Sequence, residues 1–452
     1  MILYLLITIF ICAYAFFDWK KVVIIWLPVS MLFNPCVCLK YSPPALTVVL
    51  AINFVLLILY YFREKKKKYE LCNKPFIFKR VFIVYLISYG LSMMFSVVPF
   101  TTVFAGTVQY FLNTFIIVYL FHKAIRKPDD IKLFTMTAII VFIPIILLSI
   151  YETVFHDNPW LDYVYFSVPN SDYIIGKMFY KPPFLSSSGD LAIRYGMVRC
   201  YSFFNIHIDF GCACLIYLFF FLFSIQYGIS SGKLLSANTL SAISILCIVG
   251  IVLSNSKTPM VGFFFLVFAA IPPGKLFNTK GLVIAIMAII LFIILLDYKK
   301  ELFYNFLALF DTEIQEKGGG STAHLRMTQY KIGWDLFMKN PLLGNGIGAL
   351  DFFLNRSSRY VEILGSESSW LKILPQQGLL GVATYIYLYK EIFVLLKKYT
   401  RLSTAVFYCL GLILMETATG FMNFSVYAPI LVIIERYYQL NTKRIVKISN
   451  KK

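Results

Sequence analysis

Residues 133–151, LFTMTAIIVFIPIILLSIY, form an apolar stretch without a single charged side chain. An α-helix rises about 1.5 Å per residue, so a stretch of this length crosses the roughly 30 Å hydrocarbon core of a bilayer. Comparable stretches recur along the chain and predict an all-α polytopic integral membrane protein with about 12–13 transmembrane helices. The predicted spans cover residues 2–17, 22–38, 44–62, 80–99, 102–121, 132–154, 204–226, 237–254, 258–271, 281–297, 369–389, 402–418 and 422–438.

The overall composition excludes a soluble protein. Hydrophobic residues make up 59% of the chain and charged residues 14%, with a mean hydropathy of +0.74. A soluble domain is about half apolar and about a quarter charged. The charged residues here are too few to cover a soluble surface, which excludes both a cytosolic enzyme and a disordered chain.

The net charge of +19 arises from 42 Lys and Arg against 23 Asp and Glu. In a soluble protein this excess would suggest nucleic acid, but here the basic residues gather in short loops between apolar spans. Basic loops are typical of the cytoplasmic side of a membrane protein, and alternation of the spans places all of them on one side. We therefore expect a lipid bilayer as partner and no nucleic acid. The basic segments are residues 63–80, 122–132, 232–233, 272–280, 390–401 and the tail from Lys443.

This alternation predicts a cytoplasmic C-terminus, and an N-terminus on the opposite side if the number of spans is odd. Residues 1–17 have no basic segment ahead of their apolar run, so we expect a retained helix rather than a cleaved signal peptide. Two long segments, 155–203 and 298–368, then fall on the extracytoplasmic side. The predicted organisation is 1–154, N-terminal transmembrane helices; 155–203, first extracytoplasmic segment; 204–297, central transmembrane helices; 298–368, large extracytoplasmic loop; and 369–452, C-terminal transmembrane helices and basic tail.

The large loop is predicted to be partly helical rather than a plain linker. Its pattern indicates an amphipathic helix at 301–310, a flexible break at 318–321 and a helix at 326–338 closed by Asn340-Pro341. A tight glycine-rich turn at 344–348 and a short helix at 351–363 complete it. No Lys-Ser/Thr follows the glycines, so a plain turn is favoured over a phosphate cradle.

The cysteines give no metal or disulfide signature. Cys36 and Cys38, like Cys212 and Cys214, lie in or beside apolar spans with no second pair at metal-binding spacing. They are predicted to be buried free thiols. The chain also has no HExxH or Asp-x-Asp pattern, so we expect no metal cofactor.

Ionisable side chains at membrane depth are rare and costly, at about 2.5–3.5 kcal/mol on insertion scales, and are therefore candidate functional residues. The predicted topology brings five of them to the same outer interface, with two more close by. The five are Arg199, Lys257, Arg326, Glu367 and Glu416, and the two neighbours are His207 and Asp209.

Each of these side chains also has a purely structural interpretation. Arg199 and Lys257 could extend to lipid headgroups, and Arg326 could be an exposed loop charge. Glu367 precedes a helix and could simply favour its dipole, while Glu416 could be the structural partner of a cation. His207 could be an interfacial histidine with ordinary hydrogen bonds.

Four segments together resemble a known family. Residues 199–205, Arg-Cys-Tyr-Ser-Phe-Phe-Asn, are similar to an Arg-x-x-Gly-Thr-Phe-x-Asn element, with Ser202 and Phe203 departing from it. Residues 253–257, Leu-Ser-Asn-Ser-Lys, are similar to Leu-Thr-x-Ser-Arg. An Arg…Trp…Pro-Leu-x-Gly-x-Gly pattern is matched by Arg326, Trp334 and Pro341-Leu-Leu-Gly-Asn-Gly346. A His-Asn/Ser-x-x-Leu…Gly-Leu-x-Gly pattern is matched by residues 367–381, with Glu367 in the His position. Over about residues 190–385 the chain thus resembles the O-antigen ligase and polymerase superfamily of bacterial envelope polysaccharide assembly.

The resemblance implies a GT-C-like membrane glycosyltransferase that uses undecaprenyl-pyrophosphate-linked oligosaccharide without a metal. Its site would lie on the extracytoplasmic face of the bacterial cytoplasmic membrane. It implies that Arg199, Lys257 and Arg326 bind the pyrophosphate and that Glu367 is the general base of an inverting transfer, supported by Glu416, His207 and Asp209. Glu in place of the ligase His favours a polymerase of repeat units, a class that can work with a chain-length regulator. The alternatives are an O-antigen ligase acting on lipid A core or protein, and a lipid-linked oligosaccharide flippase.

Overall fold

The computed structural model describes residues 2–40, 46–64, 76–167, 193–194, 197–228, 235–271, 323–350, 368–419 and 424–449. Within these ranges the regular secondary structure is helical apart from two short antiparallel pairs, Cys38–Lys40 with Leu46–Thr47 and Ile193–Arg194 with Met197–Val198. The α-helices are α1 Ile2–Val29, α2 Val48–Glu64, α3 Lys79–Met94, α4 Phe100–Phe111, α5 Ile117–Ala124, α6 Pro128–Phe155, α7 Pro159–Ser167, α8 His207–Tyr227, α9 Ala237–Leu253, α10 Lys257–Ala270, α11 Ala323–Lys339, α12 Ser369–Tyr399, α13 Leu402–Thr419 and α14 Phe424–Ser449.

Six helical segments in the described part of the chain are long and apolar enough to cross a membrane. Shorter apolar helices at Val48–Arg63, Ala237–Leu253 and Lys257–Ala270 lie among them. The prediction of an all-α polytopic membrane protein is confirmed. The predicted span 281–297, the helices at 301–310 and 351–363 and the break at 318–321 lie outside the described residues. The six segments are Leu3–Leu32, Phe100–Ala124, Pro128–Phe155, His207–Tyr227, Ser369–Tyr399 and Leu402–Thr419.

The first two predicted spans form one kinked helix. Helix α1 continues through Asp18, whose φ of −142° and ψ of 80° mark the kink. The predicted second span, 22–38, is too long, because the helix ends at Val29 and a 3-10 turn follows at Ser30–Leu32. Pro28 lacks an N–H, and Pro35 biases the residue before it away from helical backbone, so the helix does not continue.

Polar side chains connect helices inside the N-terminal half. Helices α4 and α5 are joined by a π-helix at Leu112–Ile116 into a single span. The Trp26 Nε1 donates to Asn53 Oδ1 over 2.8 Å, and Asn53 Nδ2 donates to Asn113 Oδ1 over 2.9 Å. Hydrogen bonds of this kind between helices satisfy polar groups that the lipid cannot.

Helix α8 is the central helix of the bundle. It is apolar along most of its length and is buried against α9 and α10, as expected for a helix that is hydrophobic all round. Small residues allow the close approach: an added Cβ at Gly211 would lie 2.5 Å from Ser254 Oγ, and one at Gly262 would lie 2.7 Å from Leu215 Cδ2. The loop between α9 and α10 therefore sits against the first turns of α8.

Helix α12 is not the straight span that the sequence predicts at 369–389. Gly378 has a φ of 61° and a ψ of −156°, which interrupts the helix. In a straight helix residues 370 and 385 would be about 22 Å apart, yet the rings of Trp370 and Tyr385 are 5.8 Å apart, and those of Trp370 and Tyr389 are 6.2 Å apart. The first arm, residues 369–377, thus folds back along the second arm, residues 379–399.

The predicted glycine-rich turn is confirmed and fills the break in α12. Leu379 N donates to the Pro341 carbonyl over 2.8 Å, and Leu380 N donates to that of Leu342 over 3.2 Å. In return, Asn345 N donates to the carbonyl of Pro375 over 2.8 Å. The turn therefore satisfies the backbone groups that a broken helix exposes inside a membrane. A Cβ at Gly344 would lie 2.3 Å from the Gln376 carbonyl carbon, so only glycine fits there.

A buried charged cluster joins α5 to α14 and was not predicted from the sequence. Arg436 donates to the His122 carbonyl over 2.9 Å and to Gln439 Oε1 over 3.0 Å. Glu435 accepts from Gln439 over 2.6 Å and lies 3.4 Å from His122 Nε2. Charges that are this deeply buried require partners, and these four side chains supply them to one another.

Candidate functional site

The segment that carries Arg199 lies against the end of α9. Cys200 N donates to the Leu253 carbonyl over 3.2 Å, which places Arg199 beside the turn leading into α10. The Arg199 side chain is only 8% exposed. An anchor that extends to lipid headgroups would not be enclosed in this way, so burial favours a binding role over anchoring.

Arg199 is the charged residue of this segment. Burial raises the pKa of Tyr201 to about 12 and raises that of the Cys200 thiol well above its usual range. Both side chains are therefore neutral at physiological pH, whereas an arginine stays protonated. Arg199 therefore supplies the positive charge of this segment.

The Arg199 segment is held from α6 by Glu152, which is 2% exposed. Glu152 Oε2 accepts hydrogen bonds from Tyr201 N over 3.0 Å, Ser202 N over 2.9 Å and Asn158 Nδ2 over 3.0 Å. The sequence interpretation did not single out Glu152, because it lies inside a predicted span. A carboxylate directly after the uncharged stretch 133–151, near the end of a predicted span, is the signal that could have revealed it.

Lys257 begins α10 directly after a buried turn. Ser254, Asn255 and Ser256 are each at most 3% exposed, and Asn255 adopts a φ of 47°. Asparagine tolerates this left-handed backbone better than most residues. Lys257 itself is half-buried at the N-terminal end of the helix, where its charge adds to the positive end of the helix dipole.

The first turn of α8 contributes His207 and Asp209. The His207 ring lies 5.5 Å from that of Tyr201, two residues after Arg199. Asp209 interacts electrostatically with Lys372 in the first arm of α12. The N-terminal end of α8, which carries partial positive charge, therefore lies beside the Arg199 segment and within electrostatic range of the first arm of α12.

Glu416 is fully enclosed, at 1% exposure, and its hydrogen-bond partner is the hydroxyl of Tyr389. This hydrogen bond does not pair Glu416 with a cation, as the structural interpretation would require. The Tyr389 ring stacks on Trp370 near the start of α12, and Met415 lies against Gly262 of α10. Glu416 therefore lies close to the helix start that directly follows Glu367 in the sequence.

Of two further predicted site residues, the structure describes only the backbone of Arg326 and does not describe Glu367. Arg326 belongs to α11, which the sequence predicts at 326–338 and the structure gives as Ala323–Lys339. This helix packs on the first arm of α12, where a Cβ at Gly333 would lie 2.5 Å from Leu371 Cδ1. The Arg326 side chain and the whole of Glu367 lie outside the described residues, so their roles stay predictions. In the described part of the chain, no group of three or more His, Cys, Asp or Glu side chains could hold a metal ion.

The fold and these contacts define a multi-pass membrane protein with buried cationic and acidic side chains at connected helix ends. Residues 242–386 match the family described as O-antigen ligase. This match confirms the resemblance to the O-antigen ligase and polymerase superfamily, and it supports a membrane enzyme of the glycosyltransferase type in bacterial polysaccharide biosynthesis. It includes Lys257, Arg326, Glu367 and the break in α12 at Gly378, whereas Arg199 and Glu416 lie outside it. No curated protein matches the chain.

Proposed function

We propose that the protein polymerises lipid-linked oligosaccharide repeat units of an O-antigen, capsule or exopolysaccharide. The glycan is transferred from undecaprenyl pyrophosphate to a sugar hydroxyl of an acceptor unit. The family match supports transfer of this general type. Ligases of the superfamily have His at the position of Glu367. The carboxylate at this position therefore favours the polymerase.

The observation that supports the proposal is the buried Arg199, whose segment is hydrogen-bonded to the end of α9 shortly before Lys257. The donor's leaving group is a pyrophosphate, whose negative charge grows as the glycosidic bond breaks. Fixed cations at that position stabilise the transition state more than the ground state, an effect that amounts to several kcal/mol in a water-poor site. An arginine fork binds phosphate oxygens through two parallel hydrogen bonds, and Lys257 adds a point charge.

The transfer step requires one base. The acceptor hydroxyl oxygen attacks the anomeric carbon, the bond from that carbon to the phosphate oxygen breaks, and the electron pair leaves with the pyrophosphate. Glu367 takes the hydroxyl proton, and Arg199, Lys257 and Arg326 hold the departing charge. Attack opposite the leaving group inverts the anomeric configuration. Glu416, His207 and Asp209 support the site from the neighbouring helices.

Several partners and a location follow from this proposal. The donor is inserted in the bacterial cytoplasmic membrane, and the site opens on its extracytoplasmic face, where repeat units are assembled. A chain-length regulator is an expected protein partner. No metal takes part in the step.

Purified protein supplied with synthetic undecaprenyl-pyrophosphate oligosaccharide tests the proposal. The expected product is a ladder of polymers on a gel, unchanged by a chelator. Glu367→Gln should insert normally into the membrane and form no ladder. A stably inserted Glu367→Gln protein that polymerises at the normal rate would remove Glu367 as the base.

The description of the matching family as O-antigen ligase favours one alternative acceptor. A ligase would pass the glycan to lipid A core or to protein and would give a single product rather than a ladder. In cells, loss of a polymerase leaves one repeat unit on each anchor, whereas loss of a ligase leaves no anchored glycan. Translocation of intact donor across vesicles without any new glycosidic bond would instead indicate a flippase.

A further inference from the structure

The backbone around Ser202 has a shape that must be held in place. Ser202 adopts a φ of 52°, in the left-handed region that is unfavourable for residues other than glycine. The element that this segment resembles has glycine at the same position. A serine persists there only if its surroundings fix the conformation.

Three neighbours fix it from different directions. The Ser202 N–H donates to Glu152 Oε2 over 2.9 Å, its carbonyl accepts from Asn158 Nδ2 over 2.9 Å, and its hydroxyl donates to the Ile145 carbonyl over 2.7 Å. Asn158 also donates to Glu152, so the amide and the carboxylate hold each other as well as the loop. The N–H and the carbonyl of the strained residue Ser202 are thus both hydrogen-bonded to buried side chains.

Glu152 also holds the neighbouring peptide. Tyr201 N lies 3.1 Å from Oε1 and 3.0 Å from Oε2 of the carboxylate, so both oxygens face backbone donors. A carboxylate is the side chain suited to this task, because it accepts hydrogen bonds and donates none. A glutamine would turn its NH₂ group toward one of these N–H groups and lose that hydrogen bond.

We infer that Glu152, together with Asn158, is a positioning residue that sets the direction of Arg199 toward the pyrophosphate. Arg199 lies only two residues before Tyr201, and the N–H between them, that of Cys200, is tied to the end of α9. The segment is therefore fixed to α6 on one side and to the α9–α10 turn on the other. This inference rests on the proposed function, because it requires Arg199 to act on the donor.

A double-mutant cycle separates positioning from plain stabilisation. Glu152→Gln should lower kcat for polymerisation about ten- to a hundredfold, the size of effect that a displacement of about 1 Å causes at a reacting centre. In an Arg199→Ala background the same change should lower the residual rate, measured with labelled donor, less than twofold. Residues that act as a unit show this non-additivity. A role in stability alone would multiply the two losses.

Matched variants keep the experiment decisive. Thr135→Val removes another buried hydrogen bond of α6, from Thr135 Oγ1 to the Ile131 carbonyl, and should leave kcat unchanged. If Glu152→Gln fails to insert, Asn158→Ala replaces it, since it removes one contact to Ser202 and one to Glu152 and should show the same non-additivity.

The outcomes distinguish this inference from the proposed function. Normal polymerisation by Arg199→Ala would overturn both the pyrophosphate site and the positioning role. A large loss in Arg199→Ala combined with multiplying losses in the double variant would leave the pyrophosphate site standing and overturn the role of Glu152. A wild-type kcat in Glu152→Gln would likewise overturn the role of Glu152 and leave the pyrophosphate site standing.

Discussion

Replacing Gly378 with alanine should destabilise the packing of the first arm of α12 against its second arm. The glycine has a φ of 61° and a ψ of −156°, in a region open essentially to glycine, which costs another residue about 1–3 kcal/mol. An added Cβ would also lie 2.6 Å from the Leu342 carbonyl carbon. Relief of that clash breaks the hydrogen bonds from Leu379 and Leu380 to the glycine-rich turn, at about 1 kcal/mol each. The expected loss of stability is about 3–5 kcal/mol.

Thermal unfolding in detergent measures this loss directly. The described chain contains buried free cysteines, Cys200, Cys212, Cys214 and Cys247 among them, so a thiol-reactive fluorophore reports unfolding. Gly90→Ala is the matched control, because Gly90 lies within α3 and an added Cβ there meets nothing within 4 Å. It should unfold at or slightly above the wild-type temperature, since alanine favours a helix by about 0.5–1 kcal/mol. Identical unfolding temperatures for Gly378→Ala and Gly90→Ala would refute the reasoning.

Substitutions at three further positions have definite expected outcomes. Ser202→Gly relieves the left-handed backbone of the serine but removes its hydrogen bond to the Ile145 carbonyl. Because these effects oppose each other, the stability should stay within about 1 kcal/mol of wild type and activity should be retained. A larger loss of stability in the same unfolding assay would contradict this expectation. Arg436→Met leaves the His122 carbonyl and Gln439 Oε1 buried without this donor and should cost about 1–3 kcal/mol for each in that assay. Lys257→Arg should retain polymerisation on the gel, whereas Lys257→Ala should shorten the ladder. Equal ladders from both Lys257 variants would argue against a cationic role there.

The spans could be predicted from sequence wherever an apolar stretch ends at a clear boundary. Residues 237–254 were predicted and Ala237–Leu253 is observed; 402–418 were predicted and Leu402–Thr419 is observed. Transfer of apolar residues out of water decides these helices locally, so neighbouring sequence is sufficient. The glycine-rich turn and the helix before it were predictable for the same reason, because turn residues and helix stop signals act locally.

The features that escaped prediction depend on contacts between distant parts of the chain. Nothing near Gly378 shows that residues 341–346 will satisfy the backbone of a broken helix, so the apolar residues around it resemble one continuous span. Glu152 gains its role only when residues 199–202 reach the end of α6. His122 likewise meets Arg436 only after the bundle has closed. Among the predicted site residues, Arg199 follows from such a contact, because its segment is hydrogen-bonded to the end of α9. The convergence of the predicted site residues stays a prediction.

In the proposed site, cationic side chains from separate parts of the chain converge on the pyrophosphate of a lipid-linked donor. Cryo-electron microscopy of the protein in a lipid nanodisc with undecaprenyl pyrophosphate tests this convergence. We expect density for the diphosphate against the guanidinium of Arg199 and the ammonium of Lys257, with Arg326 and Glu367 around the same group. A diphosphate bound elsewhere in the bundle, with these side chains facing other protein groups or lipid, would contradict it.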